Sequence, residues 1–342
     1  MRAQGTAWIK WFFVALVAFA APIALADEPV RIKLAMIAPK GSIFHRVALE
    51  IGQAFRDAQG AGAGFIVYPD GSQGGEADVV RRMRIGQLNA AMLSVVGLAE
   101  IDPSVTALQE VPMLFRSNAE VEYVGEALRP QIERRLAEQG FVAVLWSEAG
   151  WVRFFSRSPA VLPQDLKSQR VFAWAGDPQQ VELMKELGYH PVVLETGDIL
   201  PALQTGLIDV VPLTPLWALA TQVDRVAPYM IDVRWSPIVG AVVITRGAWD
   251  AMSPAAREAM KHAAQKAATE LRAYQERADA DAIAAMEKRG LHVQHLSAES
   301  EKTWQDLAQQ IYPKLRGHTV PASTFDEALG LVAQYRRASG SR

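Results

Sequence analysis

The chain contains no cysteine among its 342 residues. This absence excludes disulfide-bonded scaffolds, thiolate metal sites, cysteine nucleophiles and lipid attachment to an N-terminal cysteine. Clusters of Lys and Arg are missing too, so nucleic acid is not an expected partner. Hydrophobic residues make up 50% of the chain, which is ample for a core and argues against disorder.

Conventional catalytic motifs are also missing. There is no GxSxG elbow, no HExxH, no Walker phosphate loop and no dinucleotide fingerprint. Glycines at 71, 74 and 75 lack the lysine and the spacing of a phosphate loop, so they indicate an ordinary tight turn. His292 and His295 lie three residues apart in a short strand-like segment, which sends their side chains to opposite faces. We therefore expect no enzyme, no metal site and no cofactor.

The N-terminus has the pattern of a secretory signal. An apolar run from Trp11 to Ala26 follows two basic residues and ends in Ala-Leu-Ala, which predicts a cleavable signal peptide over residues 1–26. A membrane anchor is the alternative, but the run has 16 residues and contains Pro22, whereas a spanning helix needs roughly 20. Cleavage would leave 316 residues with a net charge of −4. A cysteine-free exported protein of this kind is expected in the periplasm.

Two stretches of the chain alternate between strand and helix patterns. In the first, apolar alternation or apolar runs predict strands at 31–37, 65–68 and 88–95, with helices at 43–58 and 76–87. The second has strands at 169–174, 192–194 and 209–213, with helices at 179–187 and 198–206. This alternation predicts a mainly parallel α/β sheet in each stretch, and the length suggests two domains.

A single long helix is predicted near the C-terminal third of the chain. Ser253 is a capping serine and Pro254 occupies the first helical position. From Ala255 to Arg289 there are 35 residues without glycine or proline, and Gly290 ends the run. Such a helix would be about 52 Å long, enough to lie across two lobes. A coiled-coil partner helix is the alternative, although alanine dominates the face in place of leucine at heptad spacing.

Five segments in a fixed order, together with the start of the long helix, carry a family resemblance. They are YPDGSQGGE (68–76), RRMRIGQLNAAML (81–93), VPMLF (111–115), WVRFFSRSPAVLPQDLKSQRV (151–171), ALQTGLIDV (202–210) and SPAAREAM (253–260). In this order and spacing they resemble the DctP-like extracytoplasmic solute-binding proteins of tripartite ATP-independent periplasmic (TRAP) transporters. The resemblance covers nearly all of the mature chain.

The resemblance implies an α/β two-lobe periplasmic binding protein, type II-like, with the long helix spanning both lobes. Lobe I is expected to comprise residues 27–150 plus about 237–275, and lobe II residues 151–236 plus about 276–330, followed by a flexible tail at 331–342. Such lobes close around a small organic ligand, commonly a carboxylate, and deliver it to membrane subunits. The expected partners are therefore a small organic ligand and TRAP membrane subunits, and the sequence leaves monomer and homodimer open.

One departure from the family pattern concerns the ligand clamp. After the DLKG segment the family usually has lysine, a hydrophobic residue and then an arginine that clamps the ligand carboxylate. Here the triplet is Arg170, Val171 and Phe172, so phenylalanine replaces the clamp arginine. A phenyl ring offers no donor to a carboxylate. The resemblance also places a second arginine near the hinge, at Arg153, so one cationic donor is expected to survive.

Aromatic residues gather in the regions that the resemblance assigns to the cleft. The family's polar segments are also replaced, by AMLS at 91–94 and VVPLT at 210–214. We therefore expect an apolar or aromatic ligand, with one polar end held by Arg153, Ser94 or Thr214. The predicted ligand-binding residues are Arg153, Phe172, Trp174, Thr214, Trp217, Trp235, Ser94 and Trp151.

Three alternatives stay open at this point. A carboxylate ligand could be held by a relocated arginine. A periplasmic sensor would pass its ligand state to a signalling receptor in place of a transporter, with the same ligand lobe. An enzyme on the same scaffold would need a nucleophile next to a general base, and the sequence shows no residues with the spacing of such a pair.

Overall fold

The computed structural model describes residues 29–340, with the exception of the Glu276 side chain. The predicted signal peptide lies outside these residues. Across them the chain forms strands β1 (Arg31–Met36), β2 (Gly64–Tyr68), β3 (Ala90–Ser94), β4 (Phe141–Trp151), β5 (Arg153–Ser156), β6 (Arg170–Trp174), β7 (His190–Leu194), β8 (Val210–Leu213), β9 (Tyr229–Ile231), β10 (Pro237–Thr245) and β11 (His292–Gln294).

Helices alternate with these strands, as the sequence pattern predicts. They are α1 (Ile43–Gln59), α2 (Glu76–Arg84), α3 (Val95–Ala99), α4 (Asn118–Glu138), α5 (Pro178–Glu186), α6 (Ile199–Thr205), α7 (Pro215–Thr221), α8 (Arg246–Asp250), α9 (Pro254–Glu287), α10 (Ala298–Leu315) and α11 (Ala322–Ala338). Among the described residues, no helix combines the length and the apolarity of a membrane span.

Lobe I is built on a five-stranded sheet in the order β2-β1-β3-β10-β4. Strands β1, β2 and β3 are parallel, whereas β10 is antiparallel to both β3 and β4. Side chains alternate along β1, so Ile32 and Leu34 join a core with α1 and α9 on one face. Helices α4 and α11 cover the other face, where Leu128 and Val332 share a second core. Both faces are thus buried.

Lobe II is built on a six-stranded sheet in the order β11-β9-β5-β8-β6-β7. Strands β6, β7 and β8 are parallel, and β5 is antiparallel to its neighbours β8 and β9. Consecutive residues of β5 serve opposite faces: Phe154 packs in a core with Trp304 of α10, and Phe155 packs in a core with Met286 of α9. The sequence prediction of two α/β lobes is confirmed.

The two lobes are joined by two strand crossings and by α9. The crossings pair with each other, since Val152 N donates to Ser236 O at 2.8 Å and Trp235 N donates to Val152 O at 3.2 Å. Helix α9 has 34 residues, which corresponds to about 51 Å. It contributes Met260 to the lobe I core and Met286 to a lobe II core, so it spans both lobes as predicted.

The C-terminal boundaries differ from the sequence prediction. Residues 276–330 were expected in lobe II, yet Ile311, Leu315 and Phe325 pack in the lobe I core. The prediction of a flexible tail at 331–342 is also wrong for residues 331–338, because α11 continues to Ala338 and buries Val332. The physical reason is an apolar stripe at helical spacing that α11 buries against α4. Residues 341–342 lie outside the described chain.

A glycine at the end of β4 generates a prediction about stability. Gly150 has a φ of 93°, and a Cβ added there would lie 2.6 Å from Asp279 Oδ1 on α9. We expect Gly150→Ala to destabilise the fold by at least about 2 kcal/mol, because L-residues avoid this conformation and Asp279 must move. Urea denaturation followed by circular dichroism measures the loss.

Gly247→Ala is the matched control for this substitution. Gly247 lies in helix α8, and a Cβ there would meet nothing within 4 Å. Alanine improves helix propensity, so this variant should gain up to about 1 kcal/mol. Equal denaturation midpoints for the two variants would show that Gly150 carries no special constraint.

Candidate ligand-binding cleft

A cavity of about 460 Å³ lies between the two lobes. This volume falls in the range of roughly 300–1,000 Å³ typical of small-molecule sites. Lobe I contributes Phe44 and Ser94, lobe II contributes Phe172 and Trp217, and the crossing contributes Val152. The lining is mostly apolar, so the cleft offers a ligand mainly hydrophobic contact.

Three aromatic rings form one wall of the cavity at the lobe crossing. Phe154 stacks on Trp304 with ring centroids 5.1 Å apart, and Trp235 meets both rings edge-on at 5.8 and 5.6 Å. Trp304 is buried, and its Nε1 donates to Val161 O at 2.9 Å. This hydrogen bond satisfies the buried N–H and fixes the orientation of the indole. Trp235 was predicted as a ligand-binding residue and lines the cavity, whereas Trp304, on α10, was not predicted.

Strand β6 supplies a second aromatic wall. Phe172 and Trp174 alternate along the strand and both line the cavity. Phe172 is paired in register with Val192 of β7 and is 7% exposed. Trp174 Nε1 donates to Glu195 Oε2 at 3.4 Å, which orients the indole. The expectation that these two aromatics face one surface agrees with their positions.

Two predicted polar residues line the cavity but already have hydrogen-bond partners. Ser94 donates from N and Oγ to the Glu76 carboxylate at 2.8 and 2.6 Å. Gly97 N adds a third hydrogen bond to Glu76 at 3.0 Å, and these bonds oppose the burial that raises the pKa of Glu76. Thr214 caps α7 by accepting from Trp217 N at 3.4 Å. Both hydroxyls therefore serve the local structure.

Arg153 and Trp151 do not line the cavity, in contrast to the sequence prediction. The reason is the pleat of the crossing strand: Val152 and Phe154 face the cavity, so the residues between and beside them face away. Arg153 Nε donates to Asp232 Oδ1 at 3.0 Å. Burial lowers the pKa of Arg153, while the charges of Asp232 and Asp279 oppose that shift. Arg153 is thus a paired charge behind the cleft.

Trp151 also has a structural role on the outer side of the crossing. Its Nε1 donates to Asn118 Oδ1 at 2.6 Å, and the Arg234 guanidinium lies 5.7 Å from its ring centroid. Arg170, the nearest arginine to the expected clamp, forms two 2.8 Å hydrogen bonds with Asp209 and is exposed. Neither Arg153 nor Arg170 replaces the clamp arginine in the cavity.

Two carboxyl groups that the sequence prediction missed face the cavity from opposite lobes. Glu110 follows a 3-10 helix of lobe I (Pro103–Leu108) and accepts from Gln109 Nε2 at 3.1 Å. Asp177 caps α5 of lobe II by accepting from Gln180 N at 2.9 Å. Burial, together with the charge of Asp177, raises the pKa of Glu110 to about 8. Burial also raises the pKa of Asp177.

The charge of the lining is therefore of one sign. Within residues 29–340 the charged side chains that line the cavity are Glu76, Glu110 and Asp177, and no Lys, Arg or His joins them. Glu76 is fully engaged with Ser94 and Gly97. The helix-start signal of Asp177 and Pro178 is visible in the sequence, but nothing local predicts that Asp177 lines the same cavity as Glu110.

The comparisons with known proteins decide the family. The DctP model, described as bacterial extracellular solute-binding protein, family 7, matches residues 34–317. The chain belongs to this family. The predicted resemblance to TRAP solute-binding proteins is thereby confirmed, and so is the expectation that the chain is a solute-binding protein and not an enzyme, since the family and the solved neighbours are binding proteins.

Curated relatives of this DctP-family chain are distant. It is 25% identical over 209 residues to the 2,3-diketo-L-gulonate-binding periplasmic protein YiaO of Escherichia coli K12, covering 59% of this chain and 61% of the relative. It is 26% identical over 164 residues to the uncharacterised protein YiiZ of Salmonella typhimurium LT2, covering 46% and 49%. The matches thus span about half to three fifths of these relatives.

Solved structures of TRAP solute-binding proteins share the DctP-family fold of this chain. One from Ralstonia eutropha H16 with bound (S)-2-acetolactate has a TM-score of 0.82 at 19% identity, covering 89% of this chain and 99% of that one. One from Xanthobacter autotrophicus Py2 with bound β-D-galacturonate has a TM-score of 0.79 at 19% identity, with the same coverage. These likenesses establish the fold.

The raised pKa of Glu110 generates a prediction about stability and pH. The folded chain holds the Glu110 proton up to about pH 8, whereas the ordinary pKa is 4.5. The folded state therefore binds more protons between these values, and its stability falls as pH rises through them. We expect Glu110→Gln to make the melting temperature less dependent on pH between pH 5 and 8. Differential scanning calorimetry without ligand measures this dependence.

The comparison with wild type isolates this carboxyl from other titrating groups. The two melting curves should converge toward pH 5, and the variant should be the more stable protein at pH 8 and above. Curves that run parallel from pH 5 to 9 would contradict a perturbed Glu110.

Proposed function

We propose that this chain is a periplasmic solute-binding component that captures a small, largely apolar or aromatic ligand and delivers it to TRAP membrane subunits. The observation that carries the proposal is the side chain of Phe172. It lies on the cavity wall at the position where the family resemblance expects a carboxylate-clamping arginine, and no cation within residues 29–340 lines the cavity in its place.

The aromatic walls supply the binding free energy in this proposal. A ligand ring that buries about 200 Å² of apolar surface against them gains roughly 5 kcal/mol before the costs of association are subtracted. Stacking on Phe172, Trp174 or Trp217 adds a geometric preference for flat ligands. Ser94 and Thr214 remain proposed polar contacts, since each hydroxyl keeps a lone pair or a proton for a weak interaction.

Closure of the lobes would exclude water from this apolar surface. The lobes already approach each other beside Trp174, because a Cβ at Gly75 of lobe I would lie 3.1 Å from Glu195 Oε2 of lobe II. Helix α10 adds an ion pair between its Lys314 and Glu186 of α5 at 2.7 Å. A closed pair of lobes offers a continuous surface for recognition by membrane subunits.

The solved neighbours hold carboxylates such as galacturonate, acetolactate and succinate. A carboxylate in the present cavity would meet Phe172 where the expected donor is lost, and it would find no Lys, Arg or His within residues 29–340 on the lining to neutralise its charge. It is therefore the ligand class that the lining disfavours most.

A signalling receptor is the alternative partner to the TRAP membrane subunits. A pull-down from membranes with this protein as bait separates the two, because it captures either TRAP subunits or a receptor.

Phe172→Arg tests the ligand class directly. We expect this variant to bind 3-phenylpropan-1-ol at least tenfold more weakly than wild type and to acquire measurable succinate binding, because it restores a paired donor. Isothermal titration calorimetry measures both affinities, and circular dichroism verifies the fold.

Phe172→Leu is the matched control because it removes the ring without adding charge. It should lose a few-fold in affinity for the alcohol and gain nothing toward succinate. If both variants keep the selectivity of wild type, Phe172 does not contact the ligand and the proposed ligand class fails.

A further inference from the structure

Three carboxyl groups and no Lys, Arg or His line the cleft within residues 29–340, and two of the three carboxyls are incompletely paired. Glu76 accepts three hydrogen bonds from Ser94 and Gly97. Glu110 accepts one side-chain hydrogen bond, from Gln109, whose own Oε1 is held by Val239 N at 3.0 Å. Glu110 therefore keeps acceptor capacity toward the cavity.

Asp177 offers a second acceptor from the opposite lobe. Its Oδ1 accepts from Gln180 N as the cap of α5, and the carboxylate also accepts from the backbone N–H of Gln179. Among the described residues no side chain donates to this carboxylate. The positive end of the α5 dipole favours negative charge at this position. The Asp177 carboxylate is thus held in place by backbone donors of its helix, and its remaining lone pairs can accept from a ligand.

The two carboxyls interact across the cleft. Both line the same cavity, Glu110 from lobe I and Asp177 from lobe II, and the charge of Asp177 contributes to the raised pKa of Glu110. Because one group lies on lobe I and the other on lobe II, closing the lobes with both groups ionised would bring two like charges together in an apolar surrounding. Glu110 therefore keeps its proton at neutral pH unless a counter-charge is present. The residues that line the cavity supply none within 29–340.

We propose that the Glu110 and Asp177 pair selects a ligand that carries a protonated amine, held between the two carboxyls while its apolar body packs on the aromatic walls. This proposal rests on the proposed function and gives its ligand a charge. A protonated amine supplies up to three donors and a positive charge, which satisfies both carboxyls at once. Ligand binding then favours closure, because the counter-charge that closure requires arrives with the ligand.

Two sets of matched probes test this charge preference. They are 3-phenylpropan-1-amine, 3-phenylpropan-1-ol and 3-phenylpropanoate, and the straight-chain hexylamine, hexan-1-ol and hexanoate. Each set keeps one apolar body and changes the polar end from cation to neutral to anion. Calorimetric titration at pH 8.5 keeps Glu110 ionised and the amines protonated, since alkyl amines titrate near the lysine value of about 10.4.

Wild type should bind the amine of at least one set at least tenfold more tightly than its alcohol, with the carboxylate weakest. The double variant Glu110→Gln, Asp177→Asn should lose this tenfold preference of amine over alcohol. Asparagine remains a good helix cap, so α5 is preserved, and thermal melting verifies that both proteins are folded.

The outcomes separate the two proposals. If an alcohol binds but its amine has no advantage, or if the advantage survives in the double variant, the amine proposal is overturned and the apolar cleft stands. If a carboxylate binds as tightly as the amine, the amine proposal fails and a carboxylate ligand returns. If no probe of either set binds, the apolar ligand class and the amine proposal both fail.

Discussion

The pleat of the strand that crosses between the lobes decides which side chains a ligand can meet. Val152 and Phe154 face the cavity, while Arg153 faces away and pairs with Asp232. A one-residue change of register would exchange these faces and bring a guanidinium into the cleft. The apolar character of the cavity therefore depends on the Arg153 and Asp232 pair remaining behind the wall, where Asp279 of α9 adds further negative charge.

The same constraint explains why the cleft is electrostatically one-sided. Arg153 and Arg170 are both satisfied by aspartates outside the cavity. Glu110 and Asp177, in contrast, line the cavity from different lobes with few protein donors. Burying such groups costs free energy unless a partner arrives. Under the amine proposal the ligand supplies the missing donors, whereas the solved neighbours hold ligands that bring carboxylates.

Much of the fold could be predicted from periodicity, because strands and helices report local side-chain spacing. The long helix α9 was predicted within two residues at its ends from Ser253, Pro254 and the glycine-free run. Trp151 and Arg153 were assigned to the site by family resemblance, although the alternation around Val152 could have excluded them. Glu110 and Asp177 lie 67 residues apart and line one cavity only in the folded chain, so no local pattern shows that they share it. The packing of α11 on lobe I is likewise a long-range contact.

The most direct test of this account is thermal unfolding of the chain from residue 27 with the carboxylates held by its solved neighbours, namely succinate, galacturonate, glucuronate, pyroglutamate and orotate. A ligand at a hundred times its dissociation constant stabilises the fold by about 2.7 kcal/mol, which is a measurable shift in melting temperature. We expect no shift with any of these acids at millimolar concentration. A clear shift with one of them would show that the cleft holds a carboxylate despite Phe172, and the proposed apolar ligand class would be wrong.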